Sequence, residues 1–145
     1  MRDEAEHEGD SEAGLGARRG RAAEGGSFGS LQETEPHRIW PGVLARVVAG
    51  ERTTFVVVEL EPNAVVPEHA HDNEQIGVLA QGSMGFRIGD DERQLEAGGT
   101  WTIPPNAPHK VTAGPDGAVA IEVFVPARED WDALDREAAS APFWP

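Results

Sequence analysis

His69-Ala70-His71, Gln75 and His109 carry the donor atoms and the spacing to hold one divalent ion. Side chains on an extended segment alternate between two faces, so two histidines separated by one residue point the same way and can share a metal. The same alternation chooses between the neighbouring donors Glu74 and Gln75. Gln75 lies an even number of residues from both histidines and shares their face, whereas Glu74 points away. A site of this kind needs about three or four protein ligands, with one or two positions left open for substrate. Three imidazoles and an amide form a neutral shell that leaves the ion its full charge. Such an ion is a stronger Lewis acid and a poorer home for a higher oxidation state, which favours binding of carboxylate or enolate oxygens over redox work. The alternative is a trio of hydrogen-bonded core histidines holding no ion.

A second group lies near the end of the chain, in Ile121-Glu122-Val123-Phe124-Val125-Pro126-Ala127-Arg128-Glu129-Asp130. Alternation puts Glu122 and Phe124 on one face and Ile121, Val123 and Val125 on the other. A carboxylate on an apolar strand is either a solvent-facing residue of an exterior face or a general acid or base aimed inward. The residues alone leave both open.

The elements that must position these groups are short apolar runs separated by turn residues, the all-β signature. Strands are predicted at 43–48, 53–60, 65–71, 75–80, 83–88, 93–96, 100–103, 109–112 and 118–125. Their separators include Gln81-Gly82, Gly89-Asp90-Asp91 and Gly114-Pro115-Asp116-Gly117, rich in residues that turns require. Beyond Pro126, Trp131, Leu134 and Ala138 recur at helical spacing and predict an amphipathic helix over 128–139, with Trp131 as a packing residue. Residues 1–30 have Leu15 and Phe28 as their only large apolar side chains after Met1, too few to offset the entropy of ordering, and read as a disordered tail. That tail carries the cluster Arg18-Arg19-Gly20-Arg21, a possible contact site. The expected division is a tail at 1–30, a barrel at 31–127 and a C-terminal helix and tail at 128–145.

Composition removes several function classes. A net charge of −14, from 26 acidic against 12 basic residues, lacks the basic footprint that nucleic acid or an anionic membrane demands. The chain has no cysteine, which excludes disulfides and thiolate-held clusters. No run reaches membrane-spanning length and the first residues are acidic, so a cytoplasmic protein is expected.

Residues 67–75 and the later run Gly98-Gly99-Thr100-Trp101-Thr102-Ile103-Pro104-Pro105-Asn106-Ala107-Pro108-His109 resemble the two motifs of the cupin superfamily, in the right order and at the right separation. The resemblance implies a single small jelly-roll barrel with His69, His71 and His109 aimed inward on one ion (Ni, Zn, Mn or Fe), and a homodimer. The commonest cupin pattern has Glu where this chain has Gln75. With that Gln, the run from Glu122 to Asp130 is similar to the cupins of pectin and alginate catabolism that linearise 4,5-unsaturated uronates, whose sequence here ends Pro-x-Arg-Glu-Asp. It implies that Glu122 is the acid/base, standing where those proteins have Asp, that Phe124 lines the pocket, and that Arg128 pairs with the sugar carboxylate. Asn106 replaces a Gly of the second motif, and Asn tolerates left-handed backbone. The expected function is a metal-dependent, non-redox isomerase or lyase-type enzyme on a small sugar acid. Similar barrels also host dioxygenases, polyketide-type cyclases and non-catalytic metal or sugar binding.

Overall fold

A computed structural model describes residues 25–145; the expected tail, its basic cluster and His7 lie outside the described residues except for 25–30, which are exposed and without regular structure. Eight strands follow: β1 (His37–Trp40), β2 (Val43–Ala49), β3 (Thr54–Leu60), β4 (Val65–His69), β5 (Glu74–Ile88), β6 (Asp91–Glu96), β7 (Thr100–Ile103) and β8 (His109–Val125). All pairings are antiparallel. The β-branched runs of β2 and β3 suit a pleated surface with one buried face.

The architecture is a cupin jelly roll, and its two long strands explain it. The first half of β5 and the second half of β8 join β7, β3, β2 and β1 in one sheet. Their other halves join β4 and β6 in a second. Four strands predicted at 75–80, 83–88, 109–112 and 118–125 are therefore two, because their separators bend the chain at the barrel corner without ending it. The register between β5 and β8 shifts on both sides of Gln81-Gly82, and Gly82 and Gly117 adopt φ of 84° and 81°. A Cβ on Gly82 would lie 2.1 Å from the Gly117 carbonyl oxygen, so only glycine allows this close approach. Each bend also shifts the alternation by one residue. On β8, His109, Val111 and Ala113 are buried before the corner and Ala118, Ala120, Glu122 and Phe124 after it.

Strand β1 lies ahead of the predicted strands, the first of which begins at Val43. The predicted helix over 128–139 is a 3₁₀ turn at Glu129–Ala133, and Leu134 returns to extended geometry. The chain then runs beside β1, where Arg38 donates its backbone N–H to Asp135 and Glu137 donates to Pro36, bonds that a continuing helix would forbid. Trp131 is buried against the barrel. On the outer face of the larger sheet, Arg46 and Glu59 form a buried ion pair of 2.9 Å. Arg46 also donates to the carbonyls of Leu31 and Ser140, and Glu59 accepts the Phe143 N–H, so both flanking segments are tied to that face. The middle of the face carries an apolar row, Val48, Phe55, Val123 and Ile76, across β2, β3, β8 and β5. No helix among the described residues is long and apolar enough to cross a membrane.

Candidate metal and substrate site

His69 ends β4 and His109 begins β8, directly opposite it, while His71 sits in the connection to β5. Their Nδ1 atoms donate to nearby backbone carbonyls: His69 to Pro67 at 2.9 Å, His71 to Asn73 at 3.0 Å and His109 to Ala107 at 2.9 Å. A proton fixed on Nδ1 leaves the Nε2 lone pair for a ligand, the arrangement that orients metal-binding imidazoles. One nitrogen from each ring lies within 4.8 Å of the others. The β4–β5 connection is held by Asn73, which donates to the Pro126 carbonyl at 2.7 Å, and by the Asn106 N–H on the His71 carbonyl, with Asn106 at φ 68°.

Gln75 is buried facing these rings and Glu74 is exposed. The route differs from a single extended segment, because β4 ends at His69 and Gln75 belongs to β5. Gln75 Nε2 donates to Glu122 Oε2 at 2.5 Å, which turns its Oε1 toward His71 Nε2 at 3.0 Å. With His71 protonated on Nδ1, those two atoms are both lone-pair acceptors, an unfavourable pairing that a cation between them converts into two coordinate bonds. His109 Nε2 is likewise buried, with no partner among the described residues. Desolvation lowers the pKa of all three imidazoles, that of His109 to about 4, with Arg128 adding a smaller push in the same direction. They are neutral near pH 7, as metal ligands must be. These donors fit a divalent ion.

Glu122 is inside the barrel, 8% exposed, so of the two faces open to it the inner one is occupied. It lies in a register row with Val56, Gly77 and Trp101 across β3, β8, β5 and β7. The missing side chain at Gly77 lets the indole reach across, and Trp101 Nε1 donates to Glu122 Oε2 at 3.0 Å. Burial raises the Glu122 carboxyl to about 7, against the opposing pull of the two donors and Arg128.

Phe124 is buried beside Gln75 in the next row, with His71 edge-on at 5.6 Å and Trp131 at 5.3 Å. The Arg128 guanidinium carbon lies 4.8 Å from the Phe124 ring centre and 4.4 Å from that of Trp131. Its Nε and Nη2 donate to the two oxygens of Asp130 at 3.0 and 2.9 Å. One edge of the fork is therefore occupied, and no bond among the described residues reaches Nη1. Sequence reasoning did not single out Asp130, Trp101 or Trp40, whose ring centre is 5.1 Å from that of His69, and it set Trp131 aside as packing. Alternation from Ile103 on β7 was the available signal for Trp101. One cavity is lined by His69, Gln75, His109, Glu122, Phe124 and Arg128, with Trp131 and Trp40 in its wall.

Residues 56–125 match the family model described as Cupin domain. The chain is 28% identical over 101 residues to the pectin degradation protein KdgF of Dickeya dadantii (strain 3937), an alignment covering 68% of this chain and 92% of that protein. Among solved structures it is similar to KdgF from Halomonas sp., with a TM-score of 0.68 and 28% identity over 73% of this chain and 98% of that one. An RmlC-like cupin from Shewanella frigidimarina NCIMB 400 superposes with a TM-score of 0.65, also at 28% identity, over 72% and 92% of the two chains.

Proposed function

We propose that this chain, which belongs to the cupin superfamily, is a metal-dependent, non-redox isomerase that opens the ring of 4,5-unsaturated uronates. The observation that carries the reading is Glu122. A carboxyl group raised to about 7 inside the cavity is joined through Gln75 to the histidine cluster and shares that cavity with an arginine whose Nη1 edge is unbonded among the described residues. Similarity to two KdgF proteins, one described as a pectin degradation protein, supports this class of substrate.

His69, His71, His109 and Gln75 would hold the ion. When bound, it supplies a positive charge that stabilises negative charge developing on substrate oxygens. The remaining roles belong to the chain. Ring opening removes the proton of the C1 hydroxyl, forms the C1 carbonyl and breaks the C1–O5 bond. The freed enol oxygen becomes a ketone as C4 takes a proton, so product and substrate are isomers. Glu122, with a pKa near 7, is suited to accept the first proton and return one to C4. Arg128 presents its Nη1 edge to the substrate carboxylate while Asp130 and the Phe124 and Trp131 rings fix its plane. Phe124 walls the pocket and limits the water around the reacting atoms.

A homodimer accords with the uncharged row Val48, Phe55, Val123 and Ile76, an apolar surface on a chain that otherwise carries a net charge of −14. The deciding experiment is an assay of metal-loaded protein on unsaturated uronates, following loss of the conjugated ultraviolet band with dioxygen monitored in parallel. Turnover without oxygen consumption is expected. Oxygen-coupled turnover would replace the reading with an oxidative one, and absence of turnover would leave a binding protein.

A further inference from the structure

Glu122 accepts two hydrogen bonds, and both fall on one oxygen. Gln75 Nε2 and Trp101 Nε1 each donate to Oε2, while no bond among the described residues reaches Oε1. Trp101 is itself held firmly. A Cβ at Gly77 would lie 2.6 Å from its ring carbons, and the Phe86 ring packs 5.0 Å away. It is buried yet does not line the cavity, whereas Glu122 does. An indole N–H can only donate, so Oε2 is committed as an acceptor for as long as Trp101 stays in place. We infer that Trp101 is a positioning residue: it anchors Glu122 by Oε2 and leaves Oε1 as the oxygen that meets the substrate.

This inference rests on the proposed isomerase, and its test separates the two. In full-length protein with nitrogen-15 tryptophan, the Trp101 indole resonance is the one of four that Trp101→Phe removes. It should be slow to exchange and should move in Glu122→Gln. If it exchanges freely or stays in place, the contact does not exist and the inference fails, whatever the enzyme does. On the unsaturated uronate, Trp101→Phe should lower kcat ~10- to 100-fold, the cost of a misaimed group, with KM and metal content unchanged. Gly77→Ala, which displaces the indole without removing it, should do the same. In the Glu122→Gln background, Trp101→Phe should cost nothing more, because there is no acid left to aim. An equal kcat loss in both backgrounds would make Trp101 a packing residue and overturn the inference. If the wild type does not turn over uronates, the function reading fails and the indole resonance decides the contact alone.

Discussion

Replacing Glu122 by Gln should make the protein more stable and less active at once. The side chain is almost fully buried, and its carboxyl group is raised from the ordinary 4.5 to about 7. A carboxyl whose pKa is higher in the folded state than in the unfolded chain prefers its proton when folded. Its contribution is therefore fully present below 4.5 and is lost as pH rises through 7. At about 1.4 kcal/mol per pH unit, that gap costs the folded state about 3–4 kcal/mol once the group is ionised, of which about 2–3 kcal/mol falls between pH 5 and pH 8. Glu122→Gln keeps the volume and an acceptor for Trp101 but cannot ionise. Urea unfolding of metal-free wild type and variant at several pH values isolates the effect, since every other titrating group is common to both. The variant should gain on the wild type as pH rises, while its turnover falls by ~100- to 10,000-fold, the contribution of a general acid or base. Parallel stability curves would refute the buried carboxyl, and undiminished turnover would refute its role.

Four further outcomes are expected. His71→Ala and His109→Ala should each strip the metal while leaving the all-β circular dichroism intact; full occupancy by elemental analysis in both would refute the metal site. Gln75→Ala should weaken metal affinity by about 10-fold or more in a titration of metal-free protein, whereas Glu74→Gln should be nearly silent; the reverse order would contradict the orientation of β5. Arg128→Ala should chiefly raise KM for acidic sugars, and Arg128→Lys should recover only part of it, because an ammonium cannot replace a planar fork stacked on two rings; equal KM values in all three proteins would remove its carboxylate role. Ile76→Arg should turn a dimer into a monomer in sedimentation without loss of fold, and an unchanged mass would move the interface elsewhere.

Turn chemistry made most of the barrel legible, because glycine, proline and asparagine clusters mark every change of strand direction. What they do not distinguish is a turn that ends a strand from a corner that bends it, which is decided by whether another strand follows the same bend. Strand β1 escaped notice because His37-Arg38-Ile39-Trp40 lacks an alternating apolar pattern and gains its pairing from β2. The helix over 128–139 failed for a similar reason: Trp131 and Leu134 pack on the barrel while Ala138 is exposed, and the edge of β1 took the backbone groups of Asp135 and Glu137. Alternation sorted Glu122 with Phe124 without saying which face was inside. That was decided by Gly77 and Trp101, one and two strands away, through contacts that no local pattern encodes. The occupied edge of Arg128 is local in sequence, two residues from Asp130, yet depends on a backbone turn that the sequence pattern did not reveal.

The one-residue change of alternation at the corner sets a rule for how this chain tolerates editing. Strand β8 carries His109 before the bend and Glu122 and Phe124 after it, an odd separation that places all three indoors only because the corner absorbs a single step. With the corner keeping its bend, removing one residue from Gly114-Pro115-Asp116-Gly117 would leave His109 in place and turn Glu122 and Phe124 out to solvent, with Val123 and Val125 moving into their positions. Surface loops ordinarily accept length changes freely. Here the segment that looks most like a disposable loop works as a vernier between two halves of one site, and its length matters by parity.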